Sequence, residues 1–178
     1  MPPCQAGTVS DDDVFPDRDM SHRDKIEFML EREGWAIDAV PAREGQASTF
    51  PSYAFTIGFE GRYGFPEVCV VGLSPVACRG LFDLVASALA GGTDLPISAP
   101  FIGLLDGGQP CAFLPVDVAT CAAMFPSLVE HHVLAGDDPE AFSLVQLAWP
   151  DRDGALPWEP AFDPRLLTAQ VLLADPPA

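Results

Sequence analysis

The sequence predicts one α+β domain, a mainly antiparallel β-sheet with two to four helices packed on it. Three observations carry this. Extended and helical segments follow in the order helix, three strands, helix, hairpin, helix, strand, without the alternation that builds a doubly wound parallel sheet. The length, 178 residues, suits one domain. Hydrophobic residues make up 48%, enough for a core that needs no disulfide or metal staple.

Residues 1–20 are polar, carry Asp11, Asp12, Asp13, Asp17 and Asp19, and lack periodicity, so a disordered acidic tail is expected there, with residues 21–178 as the folded domain. Ser21 is a good helix N-cap, with Asp24 three residues on. Ile26, Met29 and Leu30 then form an apolar stripe that Gly34 can end in a left-handed turn. A short strand over 35–40 stops at Pro41. Over 53–59, alternation puts Tyr53, Phe55, Ile57 and Phe59 on one face and Ala54, Thr56 and Gly58 on the other. The stretch 60–66, with two glycines and a proline, has the length of a hairpin link. Residues 67–73 are apolar on both faces after Glu67, as in a central strand covered on both sides.

The next helix has the clearest signature. Ser74 caps, Pro75 takes the first position, and Cys78, Leu81, Phe82, Val85, Ala86 and Leu89 recur at steps of three and four before Gly91 and Gly92. Residues 101–106 and 111–116 flank a Gly-Gly-Gln-Pro turn, a second hairpin. Val118, Cys121, Ala122 and Phe125 mark two helical turns, and Pro126 breaks them to open another helix reaching about Leu134. A last strand over 143–149 leads into the Pro-rich stretch 150–164 and a short helix over 165–172.

Charge narrows the function classes. Acids outnumber bases 26 to 9, for a formal charge of −17, and Arg79 is the only cation between Arg62 and Arg152. Nucleic-acid binding needs lysines and arginines to displace counterions, so no nucleic-acid partner is expected, and an anionic membrane surface would repel the chain. No run of 18 apolar residues suggests a membrane span, and the first 13 residues lack the basic start and apolar segment of a secretory signal. Five widely spaced cysteines read as free thiols in a core rather than a disulfide framework. The expected compartment is the reducing cytoplasm.

Common catalytic motifs are missing. The sequence has no Cys-x-x-Cys pair, no His-Glu-x-x-His, no phosphate-cradling Gly-x-x-x-x-Gly-Lys loop and no Gly-x-Ser-x-Gly elbow. Trp149-Pro150-Asp151 looks like the acid loop of tyrosine phosphatases, but no cysteine precedes an arginine at the spacing their phosphate cradle needs. His131 and His132 point about 100° apart on a helix, so no shared metal site is expected. One of them can serve as an acid/base, or as a lone ligand with Cys121 or Glu130, although a structural or surface role outweighs both. The segment 146–159 concentrates two of the three tryptophans with three carboxylates, one glycine and two prolines. Aromatic walls with a few fixed polar groups are what small-ligand pockets use. The competing role is structural, with Trp149 and Trp158 folding the loop onto the core and Asp151 capping a turn.

Read in order, Gly34-Trp35, Ser52-Tyr53-Ala54-Phe55-Thr56-Ile57-Gly58, Phe65-Pro66-Glu67 leading through Val70 to Gly72-Leu73, and Gln146 with Trp149-Pro150-Asp151, Gly154 and Pro157-Trp158-Glu159 form a joint pattern. It resembles the bacterial domain-of-unknown-function family 4262 over residues 26–167. Phe65 departs from that pattern, where a histidine is expected before the Pro-Glu pair. The resemblance implies a small cytoplasmic domain and supplies no catalytic residues.

Two functional expectations follow. The first is a small-molecule pocket, catalytic or simply binding, near the 149–159 loop. Tyr53, Trp149 and Trp158 would wall it, Thr56 and Gln146 would hydrogen-bond the ligand, Arg62 would receive an anionic group, and Glu67 or Asp151 would act as acid/base. Glu67 stands out because it opens a strand that otherwise reads as buried, and burial raises a carboxyl's pKa. The second is an acidic interaction module, such as an immunity or regulatory partner of a basic protein. As partners, a homodimer and a basic protein are both open. No cofactor is indicated.

Overall fold

Ser21 opens the first helix as its sequence suggests: its side chain accepts the Asp24 N–H, and Gly34 ends the helix at φ 77°. The structure, a computed structural model, describes residues 19–44, 49–139 and 141–177. The expected acidic tail lies outside the described residues except for Asp19 and Met20. Helix α1 (His22–Glu33) leads into β1 (Ala36–Val40), a small hairpin of β2 (Arg43–Glu44) and β3 (Thr49–Phe50), and then β4 (Tyr53–Ile57).

The link after β4 is not a plain turn. Gly58, at φ 100°, turns the chain into the five-residue helix α2 (Phe59–Tyr63), which Gly64 closes at φ 66°. Glycine at both ends permits this, since each position has the left-handed backbone that other residues resist. The turn also redirects Phe59. Tyr53, Phe55 and Ile57 pack into one cluster, as alternation requires, but Phe59 joins the cluster on the other side of the sheet.

The chain continues through β5 (Glu67–Val71), α3 (Pro75–Ala90), β6 (Pro100–Ile102), β7 (Pro110–Pro115), α4 (Val118–Cys121), α5 (Pro126–Ala135) and β8 (Leu144–Ala148). The six-stranded sheet runs β1-β4-β5-β8-β7-β6. Every pairing in it is antiparallel except β5 with β8, which is parallel. The fold is thus the expected α+β class, with one parallel pair inside a mainly antiparallel sheet.

Both faces are covered. Cys78, Phe82 and Val85 of α3 pack on Val68 and Val70. On the opposite face, Ile26 of α1 and Leu128 of α5 share a cluster with Phe55, Cys69 and Phe125. All five residues of β4, β5 and β8 are buried, which explains the apolar character of 67–73 on both faces. Phe55, Phe59, Phe82, Phe113 and Phe125 are fully buried, each worth roughly 2–3 kcal/mol of transfer free energy.

The helix expected over 165–172 is instead a 3-10 turn, Pro164–Leu166, continued by turns through Ala169, after which residues 171–174 form no helix or strand. Long-range contacts override local propensity there. Gln170 is bonded to the backbone of Trp149, and Val171 and Leu173 pack into one cluster while Leu172 packs into another. Among the described residues no single helix is long and apolar enough to cross a membrane; 118–124 and 126–135 reach that length only jointly, across a 107° bend.

Candidate functional site

Glu67 opens β5 and is 1% exposed. Its Oε2 accepts a 2.6 Å hydrogen bond from the Thr56 hydroxyl, and Thr56 Oγ1 in turn accepts the Val68 N–H at 2.9 Å. Oε1 accepts the N–H groups of Gly58 at 2.8 Å and Glu60 at 3.3 Å, which the short helix α2 leaves unpaired at its start. The carboxyl therefore ties together the end of β4, the start of α2 and the start of β5. Burial pushes its pKa up, and the donors from Thr56, Glu60, Gly58 and Phe59 offset only part of that rise.

Glu67 lines a cleft of about 390 Å³. Gly58, Glu60 and Gly61 stand on its side, and His131, His132 and Ala135 of α5 form the other wall, with Asp137 and Ala141 completing it. Among the described residues no lysine or arginine lines this space. His132 stacks on Phe142 with ring centres 5.2 Å apart, and its Nδ1 lies 3.6 Å from the Asp137 carboxylate. Burial lowers the His131 pKa, and the neighbouring His132 lowers it further. The Glu60 carboxylate accepts from the Ser143 hydroxyl and N–H at 3.3 and 3.4 Å, anchoring the loop beside the cleft. Among the described residues no group of three or more His, Cys, Asp and Glu side chains is placed to hold a metal ion.

The predicted site residues fall into separate neighbourhoods. Thr56 and Glu67 meet directly. Tyr53 donates its hydroxyl to the Met124 carbonyl at 2.6 Å and lines a different, largely apolar cleft with Val40, Leu73 and Cys78. Arg62 lies on the exposed side of α2, where its Nε donates to the Tyr63 hydroxyl at 3.2 Å and its guanidinium crowds Gly34. Trp149 donates Nε1–H to the Val71 carbonyl at 2.9 Å and packs on the α3 side, opposite Tyr53. Trp158 packs in a third cluster with Leu156.

Gln146 and Asp151 have structural partners too. The Gln146 carboxamide binds the Val171 carbonyl and the Leu173 N–H. Asp151 Oδ1 accepts the N–H groups of Asp153 and Ala155, and Oδ2 accepts that of Asp163, closing the loop on itself. The proposed wall of Tyr53, Trp149 and Trp158 is thus spread over three clusters, because both the loop's carboxylate and its first tryptophan find backbone partners within the fold. Glu60 and Asp137, which join Glu67 at the cleft, escaped the sequence reading. A signal existed for Glu60, an acid between Gly58 and Gly61 where an ordinary hairpin would carry turn residues.

A sheet covered on both faces, with a buried carboxyl at a cleft flanked by two imidazoles, defines a small α+β domain with a candidate ligand site. The chain belongs to the family described as a domain of unknown function, DUF4262, whose model matches residues 29–163. That span takes in all strands of the sheet and every residue of the cleft. Neither a curated protein nor a solved structure matches the chain.

Proposed function

We propose that the domain binds a small uncharged or cationic polar molecule in the cleft between α2 and α5, with Glu67 as the group that exchanges a proton with it. The observation carrying this reading is a carboxyl 1% exposed, pushed toward its protonated form, lining a cleft of about 390 Å³. Titratable groups with shifted pKa in a concave site are what proton-transfer chemistry needs. His131, its pKa lowered, is a neutral proton acceptor at pH 7 on the facing wall. Three carboxyl groups, two of them beside Glu67, and no lysine or arginine among the described lining residues disfavour an anionic ligand.

Backbone amide NMR of the full chain, titrated with acetamide, ethylamine and acetate, tests this. Millimolar concentrations are appropriate, since probes of three or four heavy atoms bind with at most about 4–6 kcal/mol. Acetamide or ethylamine should shift the Gly58, Gly61 and Ala141 amides, acetate should not, and Glu67→Gln should lose the response. If no probe moves these amides, or acetate moves them equally, the reading falls.

We also infer a reducing compartment, the cytoplasm, because Cys69, Cys78, Cys111 and Cys121 are free thiols. Thiol titration of purified, unreduced protein that finds any of these four in a disulfide would remove it.

A further inference from the structure

Helices α1 and α5 start side by side and enclose a second concavity. His22 Nε2 lies 3.1 Å from Asp38 Oδ1, and the Ser127 hydroxyl donates to the same carboxylate, so the first turns of both helices meet over one buried acid of β1. Beside them Arg23 spans the gap, donating to Glu27 of α1 at 2.9 Å and to Glu130 of α5 at 3.2 Å. Here lies a groove of about 80 Å³, with Ile26 and Leu30 on one side and Leu134 on the other. The groove leads toward the Glu67 cleft. His131 lines both spaces, because it sits where the face of α5 carrying Ser127, Glu130 and Leu134 meets the face carrying His132 and Ala135. Leu30 reaches the opposite wall: a Cβ on Gly58, which lines the cleft, would lie 3.0 Å from Leu30 Cδ2. Polar and apolar chemistry are thus segregated along one path, with carboxyl groups in the cleft and aliphatic side chains in the groove.

We propose that the two spaces form one site for a primary amine with an aliphatic tail, its ammonium among Glu60, Glu67 and Asp137 and its tail passing His131 to lie between Ile26, Leu30 and Leu134. This rests on the ligand site proposed for the cleft and narrows its occupant to amphipathic amines. An ammonium brings three N–H donors and no acceptor, which suits a space lined by three carboxyl groups. The guanidinium at the groove is already committed to Glu27 and Glu130, so it offers little to an anionic ligand. Leu134 is 61% exposed, an apolar side chain that a hydrocarbon tail would cover. His131 is held neutral at pH 7 by burial and by His132, so a tail can pass it without stripping water from a charge.

The test is a chain-length series of ethylamine, butylamine and hexylamine, titrated into the full chain and followed by backbone amide NMR, with hexanoate as a control of similar length and opposite charge. Each methylene that leaves water for the groove should tighten binding roughly three- to fourfold, so hexylamine should bind about tenfold tighter than butylamine. Hexylamine should also shift the Leu30, His131 and Leu134 amides, beyond the Gly58, Gly61 and Ala141 amides that ethylamine shifts. Leu134→Gln should flatten the series; the wild-type series stands whether or not that variant folds. If ethylamine shifts the cleft amides but hexylamine binds no tighter, or leaves Leu30 and Leu134 unmoved, the proposal is overturned while the cleft keeps its proposed role. If no amine shifts the Gly58, Gly61 and Ala141 amides, both fall together. Hexanoate binding as tightly as hexylamine, or a Leu134→Gln series as steep as wild type, would overturn the proposal as well.

Discussion

Glu67 and Asp151 are almost equally withdrawn from water, 1% and 7% exposed, and both accept hydrogen bonds from backbone amides, yet their protons are held in opposite directions. For Glu67, burial is the leading influence and prevails, so its pKa rises. For Asp151, burial is again the largest single influence, but the amides of Ala155, Asp163, Asp153 and Gly154 together outweigh it and hold the carboxyl below its usual range. The surroundings differ accordingly. Asp151 organises a loop whose amides converge on it from within twelve residues. Glu67 has two amides and one hydroxyl within hydrogen-bond distance and lines a cleft. Each carboxyl accepts three hydrogen bonds, so the number of donors does not separate them. At Glu67 the desolvation outweighs the donors and leaves the group poised to take up a proton, whereas at Asp151 the donors outweigh the desolvation and the carboxylate is a structural clasp.

The largest expected effect breaks the clasp. In Asp151→Asn the amide nitrogen must face an N–H donor, either that of Asp163 or those of Asp153 and Ala155, and the charge that strengthened every bond is gone. Thermal unfolding at pH 7 should show the midpoint falling by roughly 5–10 °C. A midpoint within a degree of wild type would mean the loop holds its shape without Asp151.

Thr56→Val sharpens the other side. Valine keeps the shape, but the Val68 N–H loses its acceptor and Glu67 loses its hydroxyl donor. Denaturant unfolding should register a loss of about 1–3 kcal/mol, the cost of a buried unpaired group. The Glu67 pKa should rise further, which carboxyl NMR titration would detect; an unchanged value would show that Thr56 contributes nothing to the balance.

How much of this contrast could be read from residues alone is uneven. Glu67 was legible because a lone acid heading the run Val68-Cys69-Val70-Val71 must be buried or paired. Thr56 was legible as the polar member of an alternating strand. The role of Asp151 rested on turn chemistry, and the choice between clasp and pocket depended on amides as distant as Asp163. Helix α2 was hidden, since five residues between two glycines show no periodicity. With α2 hidden, so was the cleft, because its wall and two of the Glu67 donors belong to that helix and the glycine before it. The irregular course of 170–174 was hidden for a similar reason: the carboxamides that hold it are paired across 21 to 27 residues of chain.

Glu67→Gln should have the smallest effect on stability, and its pH dependence carries the information. Glutamine is the isostere of a protonated glutamate, so it keeps an acceptor for the Gly58 and Glu60 amides, while Thr56 can turn its hydroxyl to accept from the new NH2. Below the unfolded-state pKa of about 4.3, wild type and variant should agree within about 1 kcal/mol. With the folded pKa raised above the unfolded value, the glutamate's contribution is fully present at low pH and declines as pH climbs through the folded pKa. Glutamine cannot ionise, so the variant should escape that decline and become relatively more stable toward pH 7. Asp151, its pKa lowered, has the reverse dependence, with stability present above its unfolded pKa and lost on acidification. Urea unfolding of both proteins across pH 4–8 reads the difference. If the Glu67→Gln curve runs parallel to wild type, Glu67 shares the unfolded-state pKa, the contrast with Asp151 disappears, and the cleft loses its proton-exchanging group.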